Sequence, residues 1–341
     1  MAKLGMKVAT LAAAVTMGSS LFLIPTTGAN ADDSEQVVLK QLDGSPHNNE
    51  SFAVTTVAMK GNKILAAKID EFQFVKKGSK GFTGVPNSNS DFGKDYKSGQ
   101  MLISKNANDA AYSDLMKKNA KATKSRADSM TAIENYVKGK TASQLLSATK
   151  KNKAMQKKVI SGATLASTNG YVKAIANAAK KGYTTKGTTV DDDNVVLKQM
   201  DTAPHGKQAF AVTTVAMSGD KIAATSIDEF QFVKKGSKDF TGVPNSNAKF
   251  GKEGYKSGQM LISKQANDKG YSALMKKEAK STQSRMKSIK AIDQFAAGKT
   301  ASDLTNTVND SKGKKTDVVS GATLVDTNNY LTSIVQTANQ Q

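Results

Sequence analysis

Hydrophobic and polar positions follow two different periods along this chain. Residues 52–59 (FAVTTVAM) are dense in β-branched and aromatic side chains, which predicts a strand. Gly61-Asn62 is a hairpin-turn pair, and residues 69–74 then alternate apolar and polar as a returning strand. Gly84-Val85-Pro86-Asn87-Ser88 has the composition of a loop. From 108 to 137 the spacing becomes helical, with Tyr112, Leu115, Met116 and Ala120 on one face. Leu165, Thr168, Val172, Ile175 and Ala179 recur every three or four positions, which predicts an amphipathic helix. Strands first and helices later predict an α+β fold.

The whole pattern is written twice. Val37-Val38-Leu39-Lys40-Gln41 recurs as Val195-Val196-Leu197-Lys198-Gln199, and 52–59 recurs intact as 210–217. Residues 69–80 return as 227–238, 96–105 as 255–264, and 161–165 (SGATL) as 320–324. The period is far too long for a solenoid, so the sequence predicts a duplicated domain. The expected units are 36–181 and 194–339, each strand-rich first and helical later. Between them, 182–193 (GYTTKGTTVDDD) reads as a flexible polar linker. A length of 341 residues suits two domains.

The first residues read as an address. Lys3 and Lys7 precede a largely apolar run from 8 to 24, followed by Pro25, Gly28 and an A-x-A site, Ala29-Asn30-Ala31. This predicts a secretory signal peptide over 1–31; the run is short for a membrane span. The chain has no cysteine and two histidines. That excludes disulfides, thiolate zinc, cysteine-bound iron–sulfur clusters, c-type haem and a lipidated N-terminal cysteine, and it leaves no His-rich metal site. The formal charge of +20 falls to +18 without Lys3 and Lys7. The lysines are spread through both units without aromatic interleaving, which argues against nucleic acid. An anionic cell envelope is the expected electrostatic partner of a secreted chain, held at the cell surface by charge.

The repeated tetrads Ser161-Gly162-Ala163-Thr164 and Ser320-Gly321-Ala322-Thr323 are the clearest candidate chemistry. Glycine and alanine leave room for close approach to the backbone, and a helix N-terminus suits a phosphate. The same residues also suit a plain Ser/Thr helix cap. Asp317-Val318-Val319-Ser320-Gly321-Ala322-Thr323, together with Pro204-His205-Gly206, 210–215, 227–230 and 242–246, resembles the bacterial FMN-binding domain family. That family includes flavin-carrying subunits of sodium-pumping and related membrane oxidoreductases. It also includes surface flavoproteins of Gram-positive extracellular electron transfer. The resemblance covers the whole chain after residue 31 and implies two FMN groups. A dedicated flavin transferase would join each FMN phosphate to a threonine, here Thr164 and Thr323. The leading Asp317 of the second motif is matched by Lys158 in the first, so the resemblance implies the firmer site at Thr323.

Other repeated polar residues leave alternatives open. His47 and His205 would either contact the flavin or cap a turn before the first long strand. Lys105 and Lys264 would either place a cation by the cofactor or be exposed. Asp70-Glu71 and Asp228-Glu229 should point to opposite strand faces, with one of each pair solvated. The phenylalanines, among them Phe72, Phe74, Phe82 and Phe92, are expected mostly in the core.

The resemblance implies an electron carrier rather than an enzyme with its own substrate. It would take electrons from a quinone-linked or NADH dehydrogenase-type membrane donor and pass them to an extracellular acceptor. The competing expectation is a secreted basic surface-binding module whose flavin site is vestigial or non-covalent.

Overall fold

The computed structural model describes residues 35–151, 155, 159–314 and 318–340. The expected signal peptide, Lys158 and Asp317 lie outside the described residues. The first half runs β1 (Gln36–Gly44), β2 (Ser51–Lys60), β3 (Lys63–Lys76), β4 (Gln100–Ser104), α1 (Asp109–Ala120), α2 (Arg126–Val137), α3 (Ala142–Lys151), α4 (Thr168–Lys181) and β5 (Tyr183–Thr189). The second half runs β6 (Val195–Thr202), β7 (Ala209–Ser218), β8 (Lys221–Lys234), α5 (Lys249–Gly254), β9 (Gln259–Ser263), α6 (Asp268–Ala279), α7 (Arg285–Ala296), α8 (Ala301–Asp310) and α9 (Thr327–Ala338). The fold is α+β, with antiparallel sheets ordered β4-β3-β2-β1-β5 and β6-β7-β8-β9.

The expected hairpin forms: Gly61 and Gly219 turn β2 into β3 and β7 into β8 with φ of 55° and 59°. β2 and β7 are buried along almost their whole length because both faces are covered. Ala53 and Val57 pack with Ile133 of α2 and Val172 of α4, whereas their neighbours Phe52 and Val54 pack against the other half. The strand's period of two thus serves two cores at once.

That second core joins the halves. Phe52 stacks on Phe72 at 5.0 Å and Phe210 on Phe230 at 5.1 Å, while Phe52–Phe230 and Phe72–Phe210 close the square at 5.3 Å each. Of the phenylalanines singled out, Phe72 and Phe92 are fully buried and Phe74 partly so. The loops expected at 84–88 and its repeat reach across reciprocally. Asn87 Nδ2 donates to the Gly206 and Ala209 carbonyls, and Asn245 Nδ2 to those of Asn48 and Ser51. Both asparagines hold φ of 66°, a left-handed conformation that asparagine tolerates better than most residues.

Two expectations are corrected. The single helical stretch from 108 to 137 is two helices: the chain breaks at Lys121, with φ of 51°, and restarts at Ser125, whose Oγ accepts from Asp128 N. No residue of α1 is buried and Leu115 is 40% exposed, so the apolar stripe read there is too thin to hold one continuous helix on the core. The linker 182–193 is not a free joint, because β5 adds to the edge of β1 with Gln41 opposite Tyr183 and Val38 opposite Lys186. Its threonines are good strand formers. Gly187 lets it lie against the second half, since a Cβ there would sit 2.1 Å from the Ala223 carbonyl oxygen.

Candidate functional site

Each tetrad forms a tight loop just ahead of α4 or α9. Gly162 and Gly321 adopt φ of 91° and 81°, which favours glycine. Ala163 and Ala322 are buried and plug the loop into the core, helped by bonds from their N–H groups to the Ile160 and Val319 carbonyls. The following threonine is left at the surface: Thr164 is partly exposed and Thr323 exposed. Neither is the helix cap, because α4 and α9 begin at Thr168 and Thr327 with Ser167 and Asp326 in the cap positions.

The hydroxyl of each threonine meets a serine that sequence reasoning missed. Thr164 Oγ1 lies 3.0 Å from Ser129 Oγ, and Thr323 Oγ1 lies 3.2 Å from Ser288 Oγ. Both serines are fully buried on the inward faces of α2 and α7 and also accept from the threonine N–H. The halves then diverge. Gln283 Nε2 donates to Ser288 Oγ and to the Gly321 carbonyl, at 2.6 Å each, closing over the second loop. In the first half Lys124 stands at that position, beside an open depression of about 820 Å³ that also reaches Gly162 and Thr164.

The histidines meet the residues that follow each tetrad. His47 Nδ1 is 3.1 Å from Ser167 Oγ, and His205 Nδ1 is 2.7 Å from Asp326 Oδ2. They touch the residues just before α4 and α9, three positions beyond each tetrad threonine. They therefore brace the helix start that follows the tetrad.

Lys105 and Lys264 are not exposed; each is 1% accessible inside the core. Lys264 Nζ lies 3.4 Å from Glu229 Oε1, and the same carboxylate takes Arg285 Nε at 2.9 Å and the Tyr330 hydroxyl at 2.8 Å on Oε2. Glu71 has the matching partners: Lys105 at 3.4 Å, Arg126 at 3.7 Å and the Tyr171 hydroxyl at 2.6 Å. Burial alone would raise the Glu229 pKa, but Lys264 and Arg285 outweigh it and hold the carboxyl at about 2. Glu71 is lowered for the same reasons.

No member of either Asp–Glu pair is solvated, contrary to expectation. Asp70 faces the other way, taking Ser104 Oγ at 2.5 Å and Asn106 N at 3.0 Å, and Asp228 does the same with Ser263 and Gln265. These polar groups are tolerated inside because each has found a partner. Asp201 and Asp43 approach Asp70 and Asp228 from the opposite half. Burial first, and the facing carboxylate second, push both far above the usual range.

The sequence did carry a signal for the missed residues. Ser125-Arg126 with Ser129, and Ser284-Arg285 with Ser288, survive in both copies while the residues between them differ. Arg and Ser three apart share a helix face, so one helix supplies both the buried guanidinium and the serine at the tetrad. Among the described residues no helix is long and apolar enough to cross a membrane, and no cluster of three or more His, Asp or Glu could hold a metal. No protein-family model, no curated protein and no solved structure matches the chain.

Proposed function

We propose that this chain is an exported electron-transfer flavoprotein built from two homologous FMN-binding domains. FMN would be held as a phosphoester on Thr323 and on Thr164. One observation carries the reading: in both halves the tetrad puts a threonine that reaches the surface on a glycine-opened loop, with its hydroxyl beside a buried serine hydroxyl. A phosphoester needs an accessible oxygen and a backbone that a bulky phosphate can approach. Thr323 and Thr164 supply the first; Gly321 and Gly162, lacking Cβ atoms, supply the second. Bound FMN would supply one- and two-electron redox chemistry, and the chain would hold, orient and shield it. Ser288 and Ser129 would fix the ester oxygen, and Lys124 would offer a cation on the open side of the first site. In this reading the buried Glu–Lys–Arg–Tyr clusters would act as structural supports behind α2 and α7.

A flavin transferase is the partner this reading requires. A quinone-linked or NADH dehydrogenase-type membrane complex would be the donor, and the acceptor would be extracellular. Where the sequence predicts a flexible linker, the two halves share a core. The two sites would sit at a fixed separation, so electrons would pass between them without a swinging domain. The charge of +18 after residue 31 supports electrostatic retention at an anionic envelope, and it is also the feature that favours a basic surface-binding module. Absorbance of the secreted chain, expressed with a transferase and then denatured and desalted, separates the two. A yellow chromophore that stays with the polypeptide is expected; a colourless chain would favour the binding module.

A further inference from the structure

The two halves differ at one sheet edge. In the first half, β5 covers the outer edge of β1, with Gln41, Lys40, Leu39 and Val38 opposite Tyr183, Thr184, Thr185 and Lys186. It lies in a channel whose far side is α7 and whose floor is β8. In the second half, β6 is the equivalent of β1, and among the described residues no strand pairs with its outer edge. Val196, the counterpart of Val38, is 54% exposed, and Met200, the counterpart of Leu42, is 38% exposed.

The channel itself is still there. A cleft of about 350 Å³ has one wall made by Val196, Leu197, Lys198 and Gln199 and the other by Arg126, Met130 and Glu134 of α2, and Gln340, just beyond α9, also lines it. The first wall repeats the residues that pair with β5, and α2 is the equivalent of the α7 that β5 packs against. We infer that this cleft is a docking groove for one extended peptide strand, added antiparallel to β6 as β5 is added to β1.

The repeat defines the occupant, and the charged groups of the groove are only partly paired. Lys68 is paired with Glu134 at 2.8 Å and Arg126 with Glu71 at 3.7 Å. Lys198 Nζ donates to the Ala338 carbonyl at 2.7 Å, and Asp109 Oδ1 accepts from Ala127 N at 2.8 Å. Among the described residues Arg126 Nε and Nη2 have no hydrogen-bond partner, and β6 offers the free N–H and C=O groups of an edge strand. The occupant that fits is an extended segment like β5, rich in threonine and glycine, because the matching edge of β1 is filled by that segment. Main-chain bonds would supply affinity, and small alternate side chains would supply the fit. This inference does not depend on the flavin reading.

The chain has no cysteine, so one introduced thiol reports cleanly on register. The probe is a synthetic peptide of residues 182–190 carrying Lys186→Cys, mixed with the full chain carrying Val196→Cys under a redox buffer. Because Val38 faces Lys186 across β1 and β5, the matched pair should form a mixed disulfide at least tenfold faster than a peptide with its cysteine moved to Thr188, or one of scrambled sequence. Equal rates for all three peptides would overturn the inference. So would a Val196→Cys chain that couples to itself faster than to the matched peptide, because the edge would then belong to a second copy. Val196 is exposed, so the variant should unfold at the same denaturant concentration as the parent.

Discussion

Glu229→Gln tests whether the buried ion cluster holds the second half together. Gln is nearly isosteric and keeps one acceptor for Tyr330 and Arg285, so any loss reports charge rather than volume. The carboxyl sits at about 2 against an ordinary 4.5, a difference equivalent to about 3 kcal/mol at neutral pH. Leaving Lys264 and Arg285 as uncompensated buried cations predicts a cost of similar size, about 3–5 kcal/mol. The sign follows from the lowered pKa. The stabilisation is complete above 4.5 and is lost as pH falls through 2, so the gap between parent and variant should be widest at pH 7 and should shrink below 4.5. Urea unfolding from pH 7 to pH 2.5 measures it, with the slope checked for constancy. Adding Lys264→Met should restore part of the loss, since it removes one stranded cation. A variant within about 0.5 kcal/mol of the parent at pH 7, the range expected of an unremarkable surface substitution, would refute the argument. A gap that does not change with pH would refute it equally.

Three further outcomes follow from the geometry. Gly187→Ala should cost at least about 1–3 kcal/mol and loosen β5, read as faster amide exchange at Thr184–Thr189, because its Cβ would meet the Ala223 carbonyl at 2.1 Å. Asp43→Asn should stabilise the chain above neutral pH and not at pH 4. A carboxyl raised by burial and by Asp228 stabilises fully below its unfolded value of 3.8 and loses that contribution as pH rises through its folded value; thermal melts across pH measure the crossover. Ser288→Ala should leave the melting temperature within a few degrees but lower the flavin carried by Thr323, measured as the modified fraction in intact mass; an unchanged fraction would show that the serine only packs.

Local signals in the sequence were read correctly where short-range physics decides. Gly61-Asn62 dictates a hairpin, and Val172, Ile175 and Ala179 dictate the face of α4, whichever way the rest folds. The SGAT tetrads stand out by their repetition, but the sequence puts them at the helix start, whereas α4 and α9 begin at Thr168 and Thr327, beyond a tight turn at Gly162 and Gly321. What escaped notice depends on partners far along the chain. Lys105 looks like any exposed lysine until Glu71 and Arg126 are placed beside it. Ser129 means nothing locally, because its partner Thr164 arrives from another element. The strand at 183–189 has the composition of a linker, because an edge strand of threonine, lysine and glycine looks like a loop. Only the open edge of β1 makes it a strand. The phenylalanine square needed both halves at once, so period-two patterning could place its residues on a strand face but not across an interface.

The central claim is that threonine in each tetrad carries flavin. Intact mass of the exported chain, co-expressed with a flavin transferase, tests it most directly when run beside Thr323→Ala, Thr164→Ala and the double variant. The account predicts two added FMN-minus-water increments in the parent, one in each single variant, and none in the double variant. A parent chain with no increment, or a double variant that still carries one, would contradict it.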